Sequence, residues 1–123
     1  MTRFSDMTYE RLPLEETKAQ LAALTERLKG AESYEQAREV FLEKDKLERH
    51  IGTMLTLANI RHSIDTRDEF YDGEMKFWNA AMPELEEYTQ AWTAAMLAGA
   101  FRADFAREYG ELMFKNAEIA LKT

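Results

Sequence analysis

A chain of 123 residues with 16 basic and 23 acidic side chains carries a formal charge of -7, which repels nucleic acid and anionic lipid unless a basic patch interrupts it, and the sequence shows none. That length suits one domain able to remove roughly two thirds of the unfolded chain's surface from water. Without a single cysteine it offers neither a disulfide framework nor a thiolate site, and no apolar run approaches the 18 or so residues of a membrane span. The expectation is one soluble domain over 1–123, with no nucleic acid or membrane as partner and a cytoplasmic location.

Residues 1–12 show no sustained period. Phe4, Met7 and Tyr9 fit an extended arm whose side chains pin it to the helices. A first helix is expected from Pro13, a favoured first helical residue, to Lys29, with Leu14, Leu21, Leu24 and Leu28 on one stripe and Gly30 as its stop. Ser33 and Gln36 form a capping box, so a second helix should start at Tyr34.

In that helix Tyr34, Ala37, Phe41, Leu47, Ile51, Met54, Ala58 and Ile64 recur at helical steps, which predicts a rod on the order of 45 Å. Thr66 and Glu69 offer a second capping box. Beyond it Phe70, Phe77, Trp78, Ala81, Leu85, Tyr88, Trp92 and Met96 carry the same period to Gly99. The fold class is therefore all-α: a long antiparallel hairpin of about 34–65 and 67–98, the first helix packed on it, and short C-terminal helices at 102–109 and 112–121. No glycine or proline punctuates residues 65–67, so one continuous helix is the alternative. Pro83, inside the third helix, should bend it without dividing the domain.

Chemistry is sparse. His50 and His62 stand 12 residues apart on one rod, about 18 Å along its axis and about 120° around it, so one metal cannot take both. No Glu-x-x-His pair precedes either, and no phosphate loop, nucleophile elbow or His-Glu-x-x-His motif occurs. Glu84, Glu86 and Glu87 fit a solvated face. The aromatic residues Phe70, Tyr71, Phe77, Trp78, Tyr88 and Trp92 cover more than one stripe, so some must meet a second surface: a fourth helix, a partner or a groove. At the hairpin turn Arg61, His62, Asp65, Arg67, Asp68 and Glu69 gather six ionisable groups in nine residues. Capping and exposed ion pairs account for them. The alternative is a docking or channel surface formed by Arg61, His62, Asp65, Arg67, Asp68 and Tyr71.

Ile60-Arg-His-Ser-Ile-Asp-Thr66, followed by Asp68-Glu-Phe-Tyr71, resembles the N-terminal lobe of bacterial oligoendopeptidase F-type zinc peptidases, within the thimet oligopeptidase-like superfamily. Phe4-Ser5, Tyr9-Glu-Arg11, Pro83-Glu-Leu85, Phe101-Arg102, Leu112, Phe114-Lys115, Ala117-Glu118 and Leu121-Lys-Thr123 fall in the same register, so the likeness covers nearly the whole chain. The sequence departs from the family at Leu12, inserted where the family tends to read Arg-Pro, and at Gly52 and Gly73 inside helices. The resemblance implies a helical scaffold forming one wall of a channel that admits short peptides, with a catalytic C-terminal portion as partner. There, His-Glu-x-x-His and a later glutamate would hold zinc. No such motif lies in these residues, so the resemblance carries over no catalytic or metal-binding position and no cofactor for this chain. Alone, the chain is expected to be inactive. A stand-alone helical interaction or self-association module is the alternative function. The broad apolar surface of 112–121 should, in a detached lobe, drive self-association, since in the parent it would meet the following helices.

Overall fold

The computed structural model of the chain describes residues 7–122, with nothing to be said of the Lys122 side chain. The described residues form five helices, in the order α1 (Leu14–Lys29), α2 (Tyr34–Ile64), α3 (Glu69–Ala98), α4 (Arg102–Tyr109) and α5 (Glu111–Lys122). The described residues contain no strand, and none of their helices is long and apolar enough to cross a membrane. The two long helices form the expected hairpin. α1 lies against both of them, and α4 and α5 close the end opposite the turn, packing on α3 and on each other.

Local chemistry sets the boundaries. Ser33 accepts the Gln36 amide at 3.2 Å, while the Gln36 side chain accepts the Glu32 amide at 2.9 Å. That is the capping logic expected at Ser33, with the return bond one residue earlier. Pro13 stands just outside α1, not in its first turn; both the amide and the hydroxyl of Thr17 donate to its carbonyl, each at 2.9 Å. Gly110 turns the chain between α4 and α5 at φ 98°, a backbone region that favours glycine.

The second capping box does not form. α3 starts at Glu69, and its cap is Asp68, whose carboxylate accepts the Phe70 amide at 2.9 Å. Asp65 accepts the Arg67 amide at 3.0 Å. Two aspartates thus do what glycine or proline does in most turns, because a short carboxylate can satisfy backbone amides that leave the helix. Pro83 leaves α3 unbroken, although its ring cannot supply a donor to the preceding turn.

The core has two clusters. One gathers Leu12, Leu21, Ile51, Met54, Leu57, Ala58, Trp78 and Leu85 near the turn. The other gathers Leu24, Leu28, Ala37, Val40, Trp92, Met96, Phe105 and Phe114 at the far end. Half-buried Leu47 packs against both. Leu12, a departure in the sequence, is a core residue only 3% exposed. An added Cβ at Gly52 or Gly73 would meet nothing within 4 Å, so neither glycine is sterically required, and each weakens its helix relative to alanine.

The periodic stripes overreach at the turn. Ile64 is 80% exposed and Phe70 58%, because α1 does not extend over the tip, and only residues 7–12 brace one side of it. Met7 and Tyr9 pack on the first cluster as expected; Phe4 lies outside the described residues.

Candidate functional site

The turn end of the hairpin holds a polar network built from both long helices and the arm. Arg61, in the last turn of α2, donates to the Tyr71 hydroxyl at 3.1 Å and to the Met7 carbonyl. One guanidinium thereby ties both long helices to the N-terminal arm. His62 Nε2 lies 3.8 Å from Asp72 Oδ1, and Lys76 reaches the same carboxylate at 3.4 Å. Arg67 points into solvent, its side chain 95% exposed, with Asp65 at 3.9 Å. Of the six residues proposed from the sequence, then, the fold brings Arg61 and Tyr71 together. Asp65 and Asp68 build the turn, Arg67 leaves it, and His62 pairs with an aspartate that sequence reasoning did not single out.

A stronger feature lies one turn further along α3. Glu74 is only 2% exposed. Its carboxylate accepts the Tyr9 hydroxyl at 2.6 Å and Arg11 Nε at 3.1 and 3.0 Å on its two oxygens, with a further bond from Arg11 Nη2. Trp78 Nε1 donates to the Tyr9 oxygen at 3.0 Å, and the Arg11 guanidinium lies 4.7 Å from the centre of the Phe77 ring. The Tyr9 ring meets Phe70 and Tyr71 edge-on at 6.3 and 5.9 Å. The second surface demanded by the aromatic residues of α3 is therefore supplied in part by the chain's own arm.

Electrostatics obey the same geometry. The Arg11 hydrogen bonds hold the Glu74 carboxyl below its ordinary value, against the upward push of burial and with further help from Tyr9. Burial first, and then the bond to Glu74, push the Tyr9 phenol up to about 12. Each polar group has a partner. The cluster holds a charge in place and leaves no unpaired base or nucleophile, so it suits a clamp and not acid–base chemistry.

Glu74 was legible in principle. It sits four, seven and eleven residues before Trp78, Ala81 and Leu85, all buried, and a carboxylate on a buried stripe must find a cation. A related cluster marks the other end. There Tyr34 and Arg38 of α2 donate to Glu108 of α4, Arg38 at 2.8 and 3.1 Å. Those bonds, Tyr34's first, draw the Glu108 carboxyl down, while burial and Glu108 raise Tyr34 to about 12.

Zinc, implied by the resemblance, does not fit these residues. Among the described residues no group of three or more histidine or carboxylate side chains is placed to hold a metal. The His62–Asp72 pair offers two ligands where a catalytic zinc site takes three from the protein. His50 stands elsewhere on α2, beside a groove.

Two long rods, a packed third helix and an arm clamped by an arginine on a buried glutamate define a helical lobe. The chain belongs to the peptidase M3 N-terminal domain family, whose model matches residues 4–123. Among solved structures it is similar to PZ peptidase A, solved with an inhibitor, at 31% identity and a TM-score of 0.94 over 98% of this chain and 22% of that one. It is also similar to a protein assigned as oligoendopeptidase F from Bacillus anthracis str. Ames, at 32% identity and a TM-score of 0.95 over 100% of this chain and 23% of that one. A further structure assigned as oligoendopeptidase F gives 31% identity and a TM-score of 0.95, over 100% and 22%. The chain thus spans between a fifth and a quarter of the length of these structures. No curated protein gives a significant match.

Proposed function

We propose that the chain serves as the N-terminal helical lobe of a zinc-dependent oligoendopeptidase, a scaffold that forms one wall of the channel in which short peptides are cut. Its partner is the catalytic portion of such an enzyme, where zinc and the groups that activate water belong. A cytoplasmic setting, in keeping with the cysteine-free sequence, completes the reading. The observation that carries it is the agreement of fold along nearly the whole chain, at TM-scores of 0.94–0.95 and 31–32% identity, with a lobe of proteins named as peptidases.

The purified chain is expected neither to bind zinc tightly nor to cleave peptides. Calorimetric titration with zinc, run beside a quenched fluorescent peptide, measures both. Submicromolar binding at one site per chain, with turnover abolished by a chelator, would refute it. Activity that appears only when a His-Glu-x-x-His portion is present, and that a chelator removes, is the supporting result.

The surface of α5 favours a second reading, a self-associating interaction module. Leu112 is 68% exposed, Ile119 62% and Leu121 38%, more apolar area on one short helix than water tolerates cheaply. Light scattering across a wide concentration range should show this chain self-associating through α5. A strictly monomeric species at the highest concentration removes that reading.

A further inference from the structure

The groove between α1 and α2 has an apolar floor and, at its rim, an unpaired lysine beside a histidine. It is an open groove of about 510 Å³, within the range of small-molecule sites. Leu24 and Leu47 form its floor and Ala23 one wall. Ala23, exposed on α1, leaves the groove open to solvent on that side. One end is bridged by the ion pair of Arg27 with Glu43. From there to Gln20 the groove runs along seven residues of α1, about 10 Å at the helical rise, the length of a medium alkyl chain.

Charge selects the occupant. In a chain of net charge -7, Lys46 and His50 line this groove, and among the described residues neither has a hydrogen-bond or ion-pair partner. Most other cations of the protein are tied up: Arg11 with Glu74, Lys18 with Glu84, Arg38 with Glu108 and Arg102 with Glu118. An extended peptide does not suit the groove. Both walls are helix interiors whose amides and carbonyls are already bonded within the helix, so a peptide backbone would bury its own polar groups unpaired. A ligand with no backbone to satisfy loses nothing of that kind.

We propose that the groove binds a small amphiphilic carboxylate, with its alkyl chain laid over Leu24 and Leu47 against Ala23 and its anionic head held by Lys46 and His50. The apolar contact supplies most of the affinity. The lysine ammonium and an imidazole N–H, which histidine offers in every protonation state, supply the preference for an anion. The assignment does not depend on the peptidase reading, because its readout is binding and not hydrolysis.

Isothermal titration of the purified chain with decanoate, below its micelle threshold, tests the proposal, with decanol as the uncharged control. Saturable binding of one decanoate per chain is expected, with decanol clearly weaker. Lys46→Glu should weaken decanoate by about tenfold while leaving decanol little changed, since it reverses one charge at the rim. Ala23→Leu, on an exposed position of a helix that leucine suits, should abolish both while circular dichroism stays that of the parent. Equal affinity for the two ligands overturns the proposal, as does decanoate binding that neither substitution changes. A dimer in light scattering that Ala23→Leu dissolves also overturns it, and makes a second copy of the chain the occupant.

Discussion

Replacing Arg11 by alanine is expected to cost about 3 kcal/mol, far more than an exposed arginine commonly contributes. The Arg11 side chain is 56% exposed, but its partner, the Glu74 side chain, is only 3% exposed. Truncation strands a buried carboxylate with the Tyr9 hydroxyl as its remaining side-chain donor. The value lies at the low end for breaking a buried pair because water reaches Glu74 through the space Arg11 leaves. Glu74→Gln should cost less, since the arginine left behind can turn to solvent. The double variant Arg11→Ala with Glu74→Leu should recover much of the loss, leucine being at home on that stripe.

The pH dependence should change sign with it. In the parent, Glu74 is held below its ordinary 4.5, so its stabilisation is present above that value and is lost as pH falls through the lower folded one. In Arg11→Ala burial dominates and raises the carboxyl. The penalty then stands at neutral pH and shrinks on acidification. Urea unfolding of both proteins between pH 7 and about 4 measures the effect. Parallel curves with equal midpoints would show that the clamp does not hold the arm.

Trp78→Ala should destabilise by about 3–5 kcal/mol, a large share of what a domain of this size possesses. The indole is 1% exposed and sits among Leu12, Leu21, Ile51 and Met54. Its loss opens a cavity at the meeting of arm, α1, α2 and α3, and removes the donor that holds the Tyr9 oxygen. Trp78→Phe keeps most of the apolar area and should cost clearly less. The informative controls are Ile64→Ala and Phe70→Ala, on the same sequence stripes but exposed. Ile64→Ala should fall within about 0.5 kcal/mol of the parent, and Phe70→Ala, which loses edge-on contacts with Tyr9 and Tyr71, should cost about 1 kcal/mol. Denaturation midpoints rank the set, and a Phe70 variant as damaging as the Trp78 one would mean that the tip is covered in solution.

The sequence by itself determined the helical fold class, the extents of α1 and α2, the glycine that ends α4 and most of both core clusters, because helical period and end chemistry act over a few residues. Ser33 and Gln36 showed where α2 begins, and Leu21, Leu24 and Leu28 showed which face of α1 is covered. Register along the whole chain also carried the family. The tertiary structure alone decided where those stripes stop being buried, since exposure at Ile64 and Phe70 depends on how far α1 reaches along the hairpin. It also decided that Asp68, and not Thr66, caps α3. Above all it decided what Glu74 is for: the partners of that carboxylate, Tyr9 and Arg11, lie 65 and 63 residues away. Helical periodicity reports which residues share a face, and it carries no information about which distant side chain will be folded against that face.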